Sequence, residues 1–129
     1  MSLVTTVHLT RADLLAYADA SGDHNPIHRD DAAAQAVGLP GVPAHGMLTL
    51  GLACSAVATW AGSSDAVVEF GGRFVKPVLV DAQDGADLII ELSPAEGPDA
   101  ATGLTRVDVT VTVAGVKVLG MARASVRLP

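Results

Sequence analysis

The sequence predicts an α+β domain in which one long apolar helix lies against a curved antiparallel sheet. Three observations carry that prediction. The first is residues 47–61, apolar on every side when drawn as a helix and rich in small residues (Gly51, Ala53, Ala56, Ala58). Such a helix has to be covered on most of its faces. The second is the alternation of Val107, Val109, Val111 and Val113 with Asp108, Thr110 and Thr112, the period of a half-buried strand. The third is the order of elements. A strand and short helical segments lead into the long helix, and strand-like segments follow it, an order that places a helix on one face of an antiparallel sheet.

Residues 4–9 read as a short strand. Thr10 then has the character of an N-cap, with Asp13 three residues on, close to a capping box. Leu14, Leu15, Tyr17 and Ala18 supply an apolar face for a helix over residues 11–20. Gly22 is placed to end it with a positive φ. Residues 23–28 form a polar loop without periodicity. Residues 30–37 read as a short Ala-rich helix, with Asp30 and Asp31 in the first turn, where the helix dipole favours them. Gly38 stops it. Two prolines and two glycine-flanked turns make residues 39–45 a fixed loop. Residues 67–75, 87–92, 104–114 and 116–128 are strand-like, with Ala114-Gly115 a hairpin turn and 93–103 a polar loop. Several α+β layouts share this order. The one in which a sheet wraps a central helix is the hot dog fold.

At 129 residues the chain fits one domain spanning 1–129. Half the residues are hydrophobic and 17% charged, which argues against intrinsic disorder. Aromatics are only 3%, so the core has to be aliphatic. A net charge of −6 without a Lys/Arg cluster argues against nucleic acid and against an anionic membrane surface as partners. The apolar run 47–61 falls short of the roughly 20 residues a spanning helix needs. The first nine residues lack a basic segment followed by an apolar one, and a cytoplasmic location is the expectation. A lone Cys54 excludes an intrachain disulfide and a multi-thiolate zinc site.

Two stretches carry chemistry. Asp23-His24-Asn25-Pro26-Ile27-His28 packs a carboxylate, an amide and two imidazoles into six residues. Gly22 and Pro26 restrict its backbone, and Pro26 pushes Asn25 to an extended conformation. A stiff loop can hold Asp23 and His28 at a set separation, as acid–base chemistry requires. In Ala44-His45-Gly46-Met47 a glycine opens the long helix. Unpaired N–H groups at a helix start can receive a developing oxyanion, and glycine lets a ligand approach the backbone closely.

Gly22-Asp23-x-Asn25-Pro26-Ile27-His28 followed by Ala44-His45-Gly46-Met47-Leu48 resembles the MaoC-like, (R)-specific enoyl-thioester hydratases. Within them the likeness is greatest to the catalytic subunit of mycobacterial-type (3R)-hydroxyacyl-ACP dehydratases. It extends through Leu9-Thr10-Arg11-Ala12-Asp13-Leu14, Thr59-Trp60 and Gly72-Arg73-Phe74-Val75-Lys76-Pro77-Val78, most of the chain. The resemblance implies a single hot dog domain. It implies reversible syn addition of water to a trans-2-enoyl thioester, carried by CoA or ACP, giving the (3R)-hydroxyacyl product without a cofactor. Asp23 and His28 match the catalytic pair, Asn25 the residue that orients water and pair, and the Gly46 N–H the donor to the thioester carbonyl. Ala44, His45 and Met47 flank that donor as substrate-binding candidates. Many relatives carry about a dozen more residues ahead of the Leu-Thr-Arg segment, so the first strand is expected to be shorter here or its edge covered by a partner chain.

Plainer readings stand beside these. Asp23 and His28 can be a structural loop pair, and His45 can serve only to bond loop backbone. His24 and His28, four apart, have the spacing of metal ligands on a helix, but Pro26 between them opposes a regular helix, and no metal site is expected. Arg73 and Lys76 either meet carrier phosphates or face solvent. Cys54 reads as core, with Cys54 or Ser55 as candidates to line a pocket, and Trp60 as a core or interface anchor. A thioesterase on the same fold, and a partner subunit that only shapes an acyl tunnel, are the competing functions. One sheet on one helix leaves edges and a helix flank uncovered, so a dimer is expected, of identical chains or with a homologous hot dog subunit.

Overall fold

The computed structural model describes residues 2–129. The elements run β1 (Leu3–Leu9), α1 (Arg11–Ser21), a 3-10 turn (Pro26–His28), α2 (Asp31–Ala36) and α3 (Gly46–Ala61). A second 3-10 turn (Ser64–Ala66) leads to β2 (Val67–Phe74), β3 (Ala86–Pro94), β4 (Thr105–Val113), β5 (Val116–Lys117) and β6 (Leu119–Val126). The strands make one antiparallel sheet in the order β1-β3-β4-β6-β2, with β5 paired to β4. α3 packs against β2, β3, β4 and β6. This is the α+β hot dog arrangement the sequence predicts.

Local chemistry explains the elements. The Thr10 hydroxyl accepts the Asp13 N–H, and the Asp13 carboxylate accepts the Thr10 N–H, completing the capping box. Gly22 closes α1 at φ 81°, a conformation without penalty only for glycine. On β3 and β4 the buried residues alternate: Leu88, Ile90 and Leu92 on one, Val107, Val109 and Val111 on the other. Their inner faces form an aliphatic core with Ala53 and Val57 of α3. Ala114 and Gly115 both take positive φ, as a tight hairpin demands.

The structure departs from the sequence reading at three places. Residues 116–128 form two strands. The N–H of Val118 bonds back to Val111 of β4, while its carbonyl accepts Val75 N–H from the end of β2. Beyond that crossing β6 keeps β4 on one side and takes β2 on the other. A bulge with Met121 at φ 51° then adjusts the β2–β6 register. On α1, Leu14 and Ala18 are buried but Leu15 is exposed, so the apolar face is narrower than predicted. On α3 the buried residues are Thr49, Ala53 and Val57, a single stripe at intervals of four. Met47 is 61% exposed, and Gly51, Ser55 and Thr59 are open too. The sheet of one chain curves round one side of this helix, and the opposite flank is bare.

The turn that feeds β3 is held by a carboxylate. Asp81 accepts the N–H groups of Asp84 and Gln83 at 2.8 and 2.9 Å. Gly85 follows at φ 67°, where a Cβ would collide with the Leu9 carbonyl. The Asp84 and Gln83 N–H groups hold the Asp81 carboxyl below its ordinary value; burial opposes them and Arg11 assists. A carboxyl that ionises more readily folded than unfolded stabilises the fold above its unfolded value. That contribution disappears as pH falls through the folded one. Asp81→Ala should therefore lower the melting temperature at pH near 7, with the gap to wild type closing towards about pH 3. Thermal unfolding across that range checks this; a gap independent of pH would mean the charge does not hold the turn.

Candidate active site

The site grows from two loops that meet at the start of α3. In the first, each short polar side chain organises the backbone two residues on. Ser21 Oγ accepts Asp23 N–H at 3.1 Å, Asp23 Oδ1 accepts Asn25 N–H at 3.2 Å, and Asn25 Oδ1 accepts Ile27 N–H at 3.2 Å. Pro26 occupies the first position of the 3-10 turn that ends at His28, where its missing N–H costs nothing. The loop is thus stiffened by its own side chains.

The second loop, residues 42–45, is buried throughout. Ala44 N–H bonds Val78 O at 2.8 Å and Val80 N–H bonds Val42 O at 2.9 Å. Asp31 Oδ1 takes Val42 N–H at 3.1 Å and the Arg11 guanidinium at 2.9 Å. The leading edge of α3 is thereby tied to α1, α2 and the segment after β2.

His28 joins the loops. Its Nδ1 lies 2.8 Å from Pro43 O. A carbonyl has no proton to give, so Nδ1 carries the hydrogen and, in the neutral ring, Nε2 is left as a lone pair. That Nε2 stands 4.0 Å from Asp23 Oδ2. The separation exceeds a hydrogen bond and leaves both atoms able to reach one water between them. The His28 side chain is 12% exposed and that of Asp23 51%, so the pair opens to solvent on the carboxylate side.

His45 is the N-cap of α3 and supplies no side-chain cap. The Gly46 and Met47 N–H groups donate no hydrogen bond among the described residues. This is an open, electropositive helix end. The Phe74 ring lies over Gly46, 3.2 Å from where a Cβ would stand. Ala44, Gly46, Thr49, Phe74 and Lys76 border a cavity of about 240 Å³, mostly apolar, that neither Asp23 nor His28 lines.

Of the residues singled out in the sequence, Asp23, Asn25, His28, Ala44, His45 and Gly46 come together here. Met47 lies on the bare flank of α3, and Lys76 borders the cavity. Arg73 does not join them. Phe74 faces α3, so strand alternation puts Arg73 on the outer face, where its guanidinium meets Met121 Sδ at 3.5 Å. His45 does not face the opening either; it is 2% exposed. His24 is exposed, with its ring 4.0 Å from Asp19. Cys54 is half-buried and Ser55 exposed on α3, and half-buried Trp60 packs against the core. Sequence reasoning gave no site role to Tyr17, whose ring packs on His45 with centroids 4.8 Å apart. It also passed over Pro43 O. One sits a helical turn before the motif and the other is a backbone atom, so neither carries a motif signal.

Asp23, His28 and His45 have the composition of a metal site, with candidate ligand atoms within 4.8 Å. The ring geometry does not fit one. The His28 and His45 rings are stacked, centroids 3.9 Å apart and planes at 22°. In-plane lone pairs of stacked rings run nearly parallel and do not converge on one ion at about 2 Å.

Comparison with known proteins bears on this geometry. The family model described as "MaoC like domain" matches residues 1–114. The chain is 40% identical over 79 residues to 3-hydroxyacyl-thioester dehydratase X of Mycobacterium tuberculosis, 61% of this chain and 27% of that protein. It thus spans about a quarter of that relative's length. Among solved structures, a MaoC-like dehydratase superposes with TM-score 0.94 at 39% identity, covering 100% of this chain and 40% of the other. An (R)-hydratase from Pseudomonas aeruginosa superposes with TM-score 0.83 at 30% identity, covering 100% of this chain and 80% of its own. With its fold, its paired loops and the match over residues 1–114, the chain belongs to the MaoC-like domain family.

Proposed function

We propose that the chain catalyses reversible hydration of a trans-2-enoyl thioester, carried on CoA or ACP, to the (3R)-3-hydroxyacyl thioester. The observation that carries this reading is the Asp23 carboxylate and the His28 Nε2 lone pair, 4.0 Å apart, beside the uncapped start of α3 at Gly46.

The reaction follows from the groups present. A water held between Asp23 and His28 attacks C3 of the enoyl group, and one of the pair takes its proton. The C2=C3 electrons move towards the thioester oxygen, which gains negative charge. The Gly46 N–H meets that charge with an oriented dipole, a contribution of about 3 kcal/mol. The proton then passes to C2, so a C–O and a C–H bond replace the C=C π bond and one O–H bond of water. Delivery of water and return of its proton by one pair, from one side, make the addition syn. Asn25 fixes the 3-10 turn that carries His28 and so the geometry of the pair. Ala44, His45 and Met47 flank the donor, and Lys76 at the cavity is a cation available to the carrier's phosphates.

A dimer is part of the reading. β2 is a sheet edge with Val68 and Phe74 exposed, next to the bare flank of α3. A second hot dog chain, identical or homologous, would extend the sheet and cover both. Light scattering distinguishes the forms. A two-chain mass for the isolated protein means a homodimer, and a one-chain mass that doubles with a homologous subunit means a heterodimer. One chain throughout overturns it.

The activity test uses trans-2-enoyl-CoA substrates of increasing chain length, with the purified protein alone and with a homologous subunit. The conjugated enoyl-thioester absorbance should fall without release of free thiol, and chiral analysis should find the (3R) product. Thiol release would mean hydrolysis instead, and no change at any length overturns the proposal. Asp23→Asn and His28→Ala should each lower kcat by about 10²–10⁴-fold with melting temperature retained; full activity in either removes the pair from the mechanism.

A further inference from the structure

We propose that His45 is a positioning residue that holds both members of the Asp23–His28 pair at once; the inference rests on the hydratase reading above. Four observations support it. The His45 ring stacks on His28 with centroids 3.9 Å apart and planes at 22°. Its Nε2 lies 3.2 Å from the Asp23 carbonyl oxygen. The residue is 2% exposed, with Tyr17 packed against the ring at a 59° tilt. Its own backbone caps α3, one residue before Gly46.

These contacts meet a specific need. Asp23 and His28 do not bond each other, so each has to be placed by something else. Pro43 O holds one edge of the His28 ring but leaves it free to rock about that bond; a flat neighbour on its face stops the rocking. Asp23 lies in an exposed loop, and its carbonyl accepts no other hydrogen bond among the described residues. The His45 Nε2–H therefore ties that loop to the start of α3. Since Asp23 O is acceptor only, Nε2 has to carry the hydrogen. The other nitrogen, Nδ1, is buried without a partner, a cost of burial that a plain apolar filler would avoid. An imidazole combines a flat face with an N–H at its tip. Phenylalanine offers only the face, and glutamine only the N–H.

The test separates positioning from filling. His45→Phe and His45→Gln are compared with wild type by steady-state kinetics on an enoyl-CoA, by melting temperature, and by NMR of the ring nitrogens of His28. With melting retained, each variant should lose about 10–100-fold in kcat, since ångström-scale misplacement of reacting groups has effects of that order. KM should change less than about threefold, since His45 does not reach the opening. In wild type the His28 hydrogen should sit on Nδ1, and in His45→Gln that signature should blur into a mixture. Unchanged kcat and unchanged His28 signals in both variants would make His45 a filler and overturn the inference. A raised KM with kcat kept would also overturn it, in favour of substrate contact. A wild-type protein without hydratase turnover would sink the functional reading alone, and the NMR comparison would then decide on His45 by itself.

Discussion

The site depends on four consecutive buried residues in a segment that is neither helix nor strand. A buried loop has to find partners for its backbone groups or lose stability. Residues 42–45 find them in every direction. Val42 bonds Asp31 and Val80, Ala44 bonds Val78, and Pro43 accepts from His28. The His45 carbonyl accepts the N–H groups of Leu48 and Thr49. The same bonds that make burial tolerable also fix the tautomer of His28 and the first turn of α3. Stability and placement of the candidate pair are therefore one constraint.

The charges are arranged so that nothing within the site consumes them. Asp23 and His28 stop short of a direct hydrogen bond, and the leading N–H groups of α3 have no capping side chain. A closer contact at a half-exposed position would add little stability and would close the space between the two groups. Polar satisfaction instead comes from backbone: Asn25 N–H for Asp23, Pro43 O for His28. Each member of the pair is oriented through one atom while another stays available.

The bare flank of α3 and the exposed edge β2 belong to the same physical account. A sheet whose inner faces are Val, Leu, Ile and Ala can wrap a helix of small residues closely. With few aromatics it has little bulk to reach round the far side. Phe74 is the exception, and it lies on Gly46. The chain thus brings this exposed ring to the uncapped start of α3.

Much of this was legible in the sequence because it is local. Periodicity placed α3, β3 and β4, the Thr10–Asp13 spacing marked the start of α1, and Gly22 its end. The Asp23–His28 motif and the His45-Gly46 pair named most of the site, since their backbone constraints act within a few residues. What the sequence left open involves partners far apart along the chain. No spacing rule links His28 to Pro43 O, stacks His45 on His28, turns Arg73 to the outer face, or breaks residues 116–128 at Val118 into β5 and β6. Those follow from which surfaces meet once the sheet has closed on α3, because the geometry of a contact between distant segments is fixed only when both are packed.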